Sequence, residues 1–297
     1  MSMIKLFLLK ARNETLYVKG MNKVLKEIIT NSPFNKKKIS GNLEITQSLF
    51  SKWINTNVSI PILLFSRFQK LSQEINFLNF LSLSTRGGNG VRSCKIPAIL
   101  TTDLAYLIGQ LAGDGCLYSK SYTIVLCLKK GRGKNMISIF REEFGIPVKV
   151  NNHGNWSELR INCKPLHLFL RHVFELPLGK KKGKLAVPTI IKDSKPNIKL
   201  AFVRGFFDAD GCLCKTRKTY SIMFKQSTRS FLTELKEMLK EFGVEIGGPY
   251  FDKQNKSWLL GTWRKEVVNK LSNLLTSAAV VQPGRRLRPS IESEESL

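Results

Sequence analysis

Two aspartates, Asp114 and Asp210, have the surroundings in this 297-residue chain that most clearly indicate chemistry. Each ends an apolar segment and is followed by glycine, and the two segments, 104–117 and 200–213, are identical at seven of fourteen paired positions. A carboxylate at the C-terminal end of a helix opposes the helix dipole, and two such groups brought together repel each other. The pair therefore needs a cation, and two carboxylates around a partly hydrated Mg²⁺ are typical of a phosphoryl-transfer site.

The repeat also predicts how these aspartates are positioned. A repeat of 96 residues is too long for a solenoid unit and indicates two similar modules in one chain. Small residues lie four positions apart in both segments, at Gly109 and Gly113 and at Gly205 and Ala209. Because this spacing places them on one face of a helix, we expect two helices that pack nearly backbone to backbone. The glycine after each aspartate suits the left-handed conformation that ends many helices.

The two segments resemble the LAGLIDADG homing endonuclease family in its single-chain, two-motif form. The nine-residue motif of that family falls on residues 107–115 and 203–211, and its metal-binding acid is the penultimate residue, hence Asp114 and Asp210. The first copy has Ala112 where the earlier acid of the motif stands, opposite Asp208 in the second copy. Active family members often lack that earlier acid. The resemblance extends from about residue 96 to residue 275.

The resemblance implies an α+β fold in which two pseudo-symmetric αββαββα modules form a DNA-binding saddle, preceded by a small all-α N-terminal domain. The expected division is a helical domain at 1–80, a linker at 81–95, modules at 96–187 and 188–281, and a disordered tail at 282–297. The β-like segments expected after each motif are 122–130 and 156–162 in the first module, with 215–225 and 257–263 in the second.

The activity implied is a Mg²⁺-dependent, staggered double-strand break at a specific DNA site, with Asp114 and Asp210 as metal ligands and catalytic acids. Mn²⁺ is expected to substitute for Mg²⁺, and Ca²⁺ to support binding without cleavage. Family members also place Gln or Lys near the strand-to-helix junction of each module. Gln226 matches that position in the second copy, and Lys129 or Lys130 matches it in the first.

The net charge of the chain indicates a polyanionic partner. Forty-eight Lys and Arg against 22 Asp and Glu give a formal charge of +26, far more than solubility requires. We expect double-stranded DNA as the partner and a monomer with internal pseudo-two-fold symmetry. The basic residues expected on the DNA-binding surface are Lys129, Arg160, Lys215, Arg217, Lys225, Lys253, Lys256 and Arg264.

Residues 39–55 resemble a helix-turn-helix of the repressor-like kind. Thr46 can cap the second helix, and Leu49, Trp53 and Ile54 have the spacing of an inward face. Glu44 stands at the turn, where such motifs usually carry glycine. A plain helical bundle is the alternative. The outward residues that would meet bases and phosphates are Gln47, Ser48, Ser51 and Lys52.

Two other functions fit the same sequence features. One is an intron RNA maturase, which would bind intron RNA through the same basic surface. The other is a DNA-binding transcriptional regulator built from a helix-turn-helix and a degenerate motif pair. Both motif acids are retained in this chain, which favours the nuclease.

The cysteines and the hydropathy pattern bear on the compartment. The six cysteines form no Cys-x-x-Cys pair and no disulfide-scaffold spacing, so a reducing compartment is expected. Cys116 and Cys212 occupy equivalent positions in the repeat, and we expect them to be small buried core residues. No apolar stretch approaches the ~18 residues of a membrane span. We therefore expect an intracellular, soluble protein with no membrane partner, cytoplasmic in a prokaryote or located in an organelle.

Overall fold

The computed structural model describes residues 3–11, 13–31, 35–56, 58–64, 80–85, 90–215 and 220–277. The helices are α1 Met3–Lys10, α2 Asn22–Asn31, α3 Lys36–Asn42, α4 Gln47–Asn55, α5 Thr102–Asp114, α6 Gly133–Phe144, α7 Lys164–Val173, α8 Thr189–Lys192, α9 Pro196–Asp210, α10 Arg229–Glu241 and α11 Lys265–Ser277. The strands are β1 Tyr17–Val18, β2 Ile60–Pro61, β3 Phe80–Ser84, β4 Ser93–Pro97, β5 Gly115–Leu117, β6 Thr123–Lys129, β7 Val150–His153, β8 Trp156–Asn162, β9 Gly211–Lys215, β10 Tyr220–Gln226, β11 Gly247–Asp252 and β12 Ser257–Thr262. Among these helices, none combines the length and the apolar character needed to cross a membrane.

Two copies of one αββαββα unit follow each other in the chain, as the repeat predicts. The first runs from α5 to α7 and the second from α9 to α11. Each contains a four-stranded antiparallel sheet, with strand order β5-β6-β8-β7 in the first and β11-β12-β10-β9 in the second. The prediction of an α+β fold with two pseudo-symmetric modules is confirmed.

The second helix of each module ends in the same way. Helix α6 ends at Phe144, directly before Gly145, and α10 ends at Glu241, two residues before Gly243. Both glycines have left-handed backbone angles, with φ of 64° and 65° respectively. Glycine accepts this conformation without steric cost, so the repeated Glu-Phe-Gly sequence ends both helices at matching points.

The two sheets each have a buried face and an open face. In β6, Ile124, Leu126 and Leu128 are buried, whereas Cys127 and Lys129 between and beyond them are more exposed. In β10 the same alternation buries Ile222 and Phe224. Because successive side chains of a strand point to opposite sides of the sheet, the buried side chains pack against the helices and the others form an open face on each sheet.

The N-terminal segment is not all-α, contrary to the prediction. Strands β1, β2 and β3 join β4 in a four-stranded antiparallel sheet of order β2-β1-β3-β4. Strands β3 and β4 also occupy most of the segment 81–95 expected to be a linker, of which residues 86–89 lie outside the described residues. This segment forms strands because its apolar residues alternate, so that Leu81 and Leu83 pair with Ile96 and Cys94 in a buried layer. The expected tail at 282–297 lies outside the described residues.

The N-terminal segment shares a core with the first module. The ring of Phe7 in α1 meets the ring of Phe169 in α7 edge to face, with centroids 5.8 Å apart. The amide N–H of Met3 donates to the carbonyl oxygen of Ala98 at 3.2 Å. The segment is therefore packed on one module rather than tethered to it.

Helices α3 and α4 lie where the helix-turn-helix is predicted, with one correction to the inner face of α4. The hydroxyl oxygen of Thr46 accepts from the amide of Leu49 at 3.2 Å, which caps α4. Leu49 itself is 37% exposed, and Phe50 is fully buried in its place. Phe50 lies three and four positions before the buried Trp53 and Ile54, so these three share one helical face and Leu49 falls outside it. Glu44 adopts φ of 56° at the turn, the conformation that glycine usually supplies.

Candidate active site

The two motif helices, α5 and α9, touch backbone to backbone. A Cβ on Gly205 would overlap the carbonyl oxygen of Tyr106, and a Cβ on Gly109 would lie 2.7 Å from the amide nitrogen of Phe206. The buried side chain of Gln110 donates across the contact to the carbonyl oxygen of Gly205 at 3.0 Å. This contact fixes one helix against the other and determines how closely their C-terminal ends approach.

At those ends lie Asp114 and Asp210, both half-buried. A Cβ on Gly113, the residue before Asp114, would stand 3.4 Å from the carboxyl carbon of Asp210 and would overlap the Cβ of Ala209. Burial and the nearby charge of Asp114 raise the pKa of Asp210 to about 6. Burial also raises the pKa of Asp114, against the lowering effect of Lys181, Lys129 and Arg132. The site therefore holds two carboxylates whose charged forms are destabilised by burial, and that of Asp210 also by the charge of Asp114.

The glycines after the two aspartates are not left-handed caps, contrary to the prediction. Gly115 and Gly211 have φ of −91° and −92° and begin strands β5 and β9. Glycine is needed there for space, because a Cβ would lie 2.6 Å from the carbonyl oxygen of Leu111 or 2.5 Å from that of Phe207. In both modules the backbone passes directly from helix to strand after the aspartate.

Lys181, which lies between the modules in sequence, reaches the end of the first motif helix. Its ammonium group donates to the carbonyl oxygens of Leu111 at 3.2 Å and Ala112 at 2.8 Å, and also to that of Gly113. Burial lowers the pKa of Lys181, while the charges of Asp210 and Asp114 oppose that change. A cation here satisfies helix carbonyls and offsets both acids. Lys181 was not among the residues predicted from sequence, although it lies in the lysine run at 180–182.

Gln226 lies beside the second aspartate. Its amide nitrogen donates to Oδ2 of Asp210 at 3.0 Å. Its amide oxygen accepts from the backbone N–H and the hydroxyl of Ser227, at 2.7 and 3.0 Å. The orientation of the amide is therefore set from both ends.

The first module has no counterpart of Gln226 at the positions expected from sequence. The glycine after each aspartate pairs with the neighbouring strand, Gly211 with Phe224 and Gly115 with Leu126. Gln226 lies two residues after Phe224, so its equivalent is Leu128, two residues after Leu126. Lys129 points to the open face instead, and its charge acts on Asp114 from there. Lys130 follows the strand at an exposed turn, where its backbone N–H donates to the carbonyl oxygen of Asn155 at 3.2 Å.

The earlier acid of the second motif, Asp208, has a structural use. Arg132 makes an ion pair with its carboxylate at 3.1 Å and also donates to its backbone carbonyl oxygen at 2.6 Å. The hydroxyl of Tyr106 donates to Asp208 Oδ2 at 2.7 Å. Since Arg132 and Tyr106 belong to the first module, Asp208 ties the two modules together. Its counterpart, Ala112, is fully buried.

The predicted DNA-contacting residues lie mainly on or beside the open faces. Arg160 on β8 is paired with Glu158, with Nε to Oε1 at 2.9 Å, and lies over the ring of Tyr118. Lys225 on β10 lies 3.5 Å from Asp252. Lys253, Lys256 and Arg264 are exposed at the β11–β12 turn and after β12. Arg217 and the side chain of Lys215 lie outside the described residues.

Two cysteines expected in the core lie elsewhere. Cys116 is half-buried and Cys212 is exposed. Cys212 pairs across the ladder with Met223 on the open face of the second sheet. Both cysteines follow the glycine after an aspartate, so strand alternation turns them away from the helices.

The donor set at the motif helix ends suits a hard divalent cation. Two half-buried carboxylates, both with a pKa that stays raised despite the nearby cations, offer oxygen ligands to such an ion. Within the described part of the chain, no cluster of three or more His, Cys, Asp or Glu side chains could hold a metal. An ion here would complete its coordination with water or a bound phosphate, as Mg²⁺ commonly does.

Comparisons with known proteins find matches to part of this chain. A family model described as a LAGLIDADG-like domain matches residues 197–247. The chain is 28% identical over 176 residues to homing endonuclease I-ApeI of Aeropyrum pernix, covering 57% of this chain and 76% of that protein. It is also 28% identical over 145 residues to elongation factor 2 of Methanopyrus kandleri, of which it covers only 11%. A crystal structure of I-DmoI in complex with DNA and Mn aligns with 60% of this chain and 98% of that one, at 16% identity and a TM-score of 0.45.

Proposed function

Because this chain belongs to the LAGLIDADG homing endonuclease family, we propose that it makes a site-specific, staggered double-strand break in DNA. The observation that carries the proposal is the meeting of Asp114 and Asp210 at the touching ends of two helices. One acid comes from each module, so each can serve one strand of a duplex. The charge of +26 supplies the attraction to a polyanion.

In the proposed mechanism, Asp114 and Asp210 would hold Mg²⁺, for which Mn²⁺ would substitute, whereas Ca²⁺ would support binding without cleavage. When bound, such an ion orients a water molecule and stabilises the charge that develops on the phosphate. Gln226 holds the carboxylate of Asp210 in one orientation through its 3.0 Å hydrogen bond. Lys181 favours the ionised form of both acids by lowering their pKa, and Lys129 has the same effect on Asp114 from the open face.

DNA would bind along the open faces of the two sheets. Alternation along each strand presents every second side chain to the major groove, where base edges carry distinct hydrogen-bonding patterns. Basic side chains at the ends and turns would contact phosphates and set the register. The proposed modules are residues 96–187 and 188–281, acting as a monomer with internal pseudo-two-fold symmetry. The phosphate and base contacts are assigned to Arg160, Lys215, Arg217, Lys225, Lys253, Lys256 and Arg264.

The helix-turn-helix would add a second DNA contact. Gln47, Ser48 and Lys52 are exposed on α4, and Ser51 is partly exposed beside them. A recognition helix uses such residues for bases and phosphates. Because α1 is packed on the first module, this contact would extend the target beyond the half bound by that module.

The deciding experiment is cleavage of supercoiled and linear DNA carrying the uninterrupted host locus, with Mg²⁺ and with Ca²⁺. The wild type is compared with a full-length Asp114→Asn/Asp210→Asn variant. A discrete Mg²⁺-dependent double-strand cut that the variant loses, while it still binds, supports the proposal. Tight binding without a cut by either protein would reject it and favour the intron RNA maturase or the transcriptional regulator.

A further inference from the structure

The open faces of the two sheets differ in chemistry at matching positions. On the second sheet, Met223, Leu259 and Tyr250 form what we name the apolar patch. Met223 and Lys225 alternate with the buried residues of β10, and Leu259 pairs with both Lys225 and Tyr250 across the ladders. Directly paired residues of an antiparallel sheet point to the same side. The three side chains of the patch therefore share the open face.

The patch is shallow because glycines lie beneath it. Gly261 pairs with both Met223 and Gly247. A Cβ on Gly261 would stand 2.9 Å from Cγ of Met223, and one on Gly247 would stand 2.9 Å from the hydroxyl oxygen of Tyr250. The side chains of Met223 and Tyr250 therefore lie flat over these glycines, with their long apolar edges facing away from the sheet. Tyr250 is 58% exposed, so this apolar surface is open.

Two of the three matching positions on the first sheet are polar, and the third, Val125, which matches Met223, is apolar but buried. The two sheets can be aligned on equivalent cross-strand pairs, Phe224 with Leu260 in the second sheet and Leu126 with Leu159 in the first. In this alignment Leu259 corresponds to Glu158, and Gly261 corresponds to Arg160. The same alignment matches Tyr250 to Asn151. Glu158 and Arg160 are joined by two hydrogen bonds, at 2.9 and 3.2 Å. One open face therefore offers paired charges where the other offers apolar contact.

The apolar patch has the chemistry that contact with a thymine methyl group requires. In the major groove, the C5-methyl group of thymine is the apolar feature that distinguishes one base pair from another, and apolar side chains contact it. We propose that the apolar patch reads thymine methyl groups in the half of the DNA target bound by the second module. This inference rests on the proposed function. The half bound by the first module lacks this requirement, because Glu158 and Asn151 stand in the matching positions.

The test uses the full-length Asp114→Asn/Asp210→Asn variant to select binding sites from a randomised duplex library. The recovered sites are then made with uracil in place of thymine, which removes only the methyl group. Each methyl group buried on the patch should contribute about fourfold in affinity. A Leu259→Asn substitution added to this protein should abolish the difference between thymine and uracil. A Glu158→Gln substitution at the matching position of the first sheet should leave that difference unchanged.

The outcomes separate the two proposals. Thymine enrichment in one half-site, with the uracil penalty confined to that half and removed by Leu259→Asn, supports the thymine-reading surface. If specific sites are recovered and cut by the wild type but bind equally well with uracil, the inference is wrong and the endonuclease proposal stands. If no sequence is enriched and no site is cut, both fail. Thermal unfolding of the variants verifies that each remains folded.

Discussion

The side-chain amide of Gln226 donates a hydrogen bond of 3.0 Å to Oδ2 of Asp210, and no such bond is possible at the matching position of the first module. The matching residue there is Leu128, which is buried and apolar. The two acids are therefore supported differently, although the helices that carry them are near copies. We expect this asymmetry to appear as unequal cleavage of the two DNA strands.

Replacing Gln226 with Leu should slow the cut that depends on Asp210 by about 10- to 100-fold, as is usual when a group that orients a metal ligand is lost. The cut that depends on Asp114 should change little and serves as the internal control. Supercoiled substrate would then pass through a long-lived nicked circle, which gel electrophoresis over time detects. Equal slowing of both strands would contradict the assignment of Gln226 to one acid.

Lys181 should be required for both cuts. Replacing it with Met removes a half-buried cation that acts on Asp114 and Asp210, so the pKa of each acid should rise further. It also leaves the carbonyl oxygens of Leu111 and Ala112 without that donor. We expect both strands to be cut more slowly at neutral pH, with partial recovery as the pH is raised.

Lys180→Met and Lys182→Met are the matched controls for this prediction. Both neighbours are exposed and carry the same charge as Lys181. If Lys181 acts only through the overall positive charge, all three variants should lose activity to the same degree. A selective loss with Lys181→Met, measured as single-turnover rates across pH, supports a local role.

The metal-free stability of the protein should fall as the pH rises through the range 4 to 6. The pKa of Asp210 is raised from 3.8 to about 6, so the folded state retains a proton that the unfolded state has released. Stability falls with pH wherever the folded state binds more protons. A shift of this size corresponds to at most about 3 kcal/mol, and partial exposure reduces it to roughly 1–2 kcal/mol.

Asp210→Asn should accordingly stabilise the metal-free protein at pH 7 and have little effect on stability at pH 4. Denaturant unfolding in a chelator at both pH values measures this difference. Asp252→Asn is the control, because hydrogen bonds from Asn255 lower the pKa of Asp252 and its loss cannot stabilise in the same way. If Mg²⁺ binds at the site, adding it should stabilise the wild type more at pH 7 than at pH 5.

The sequence predicted those features that are repeated or periodic. Two matched segments were enough to indicate both modules, and the spacing of Gly109 with Gly113 and of Gly205 with Ala209 indicated the close helix contact. Strand alternation then separated buried from open residues. These features depend on local spacing, which a single sequence records directly.

Features that depend on contacts between distant segments were not predictable in the same way. Lys181 approaches Ala112 from 69 positions away in sequence, and Arg132 binds Asp208 from 76. The counterpart of Gln226 depends on strand register, and a shift of one residue exchanges Leu128 for Lys129. The alternating leucines at 81 and 83 were hidden by the Ser, Arg and Gly residues that follow them.

The motif helix contact should tolerate no added methyl group. In Gly205→Ala the new Cβ would overlap the backbone carbonyl of Tyr106, and a Cβ at Gly109 would meet the backbone around Phe206. Backbone atoms cannot rotate away as a side chain can, so the helices must separate. Overpacking of this kind should cost about 3 kcal/mol or more in the free energy of unfolding.

Gly41→Ala is the matched control, because Gly41 lies inside α3 with no atom within 4 Å of its added Cβ. There the same substitution should be neutral or stabilise by up to ~1 kcal/mol, since alanine has the higher helix propensity. Gly205→Ala should also slow cleavage of both strands, because separating the helices separates Asp114 from Asp210. Equal unfolding midpoints for Gly205→Ala and Gly41→Ala would contradict the close contact on which the active site depends.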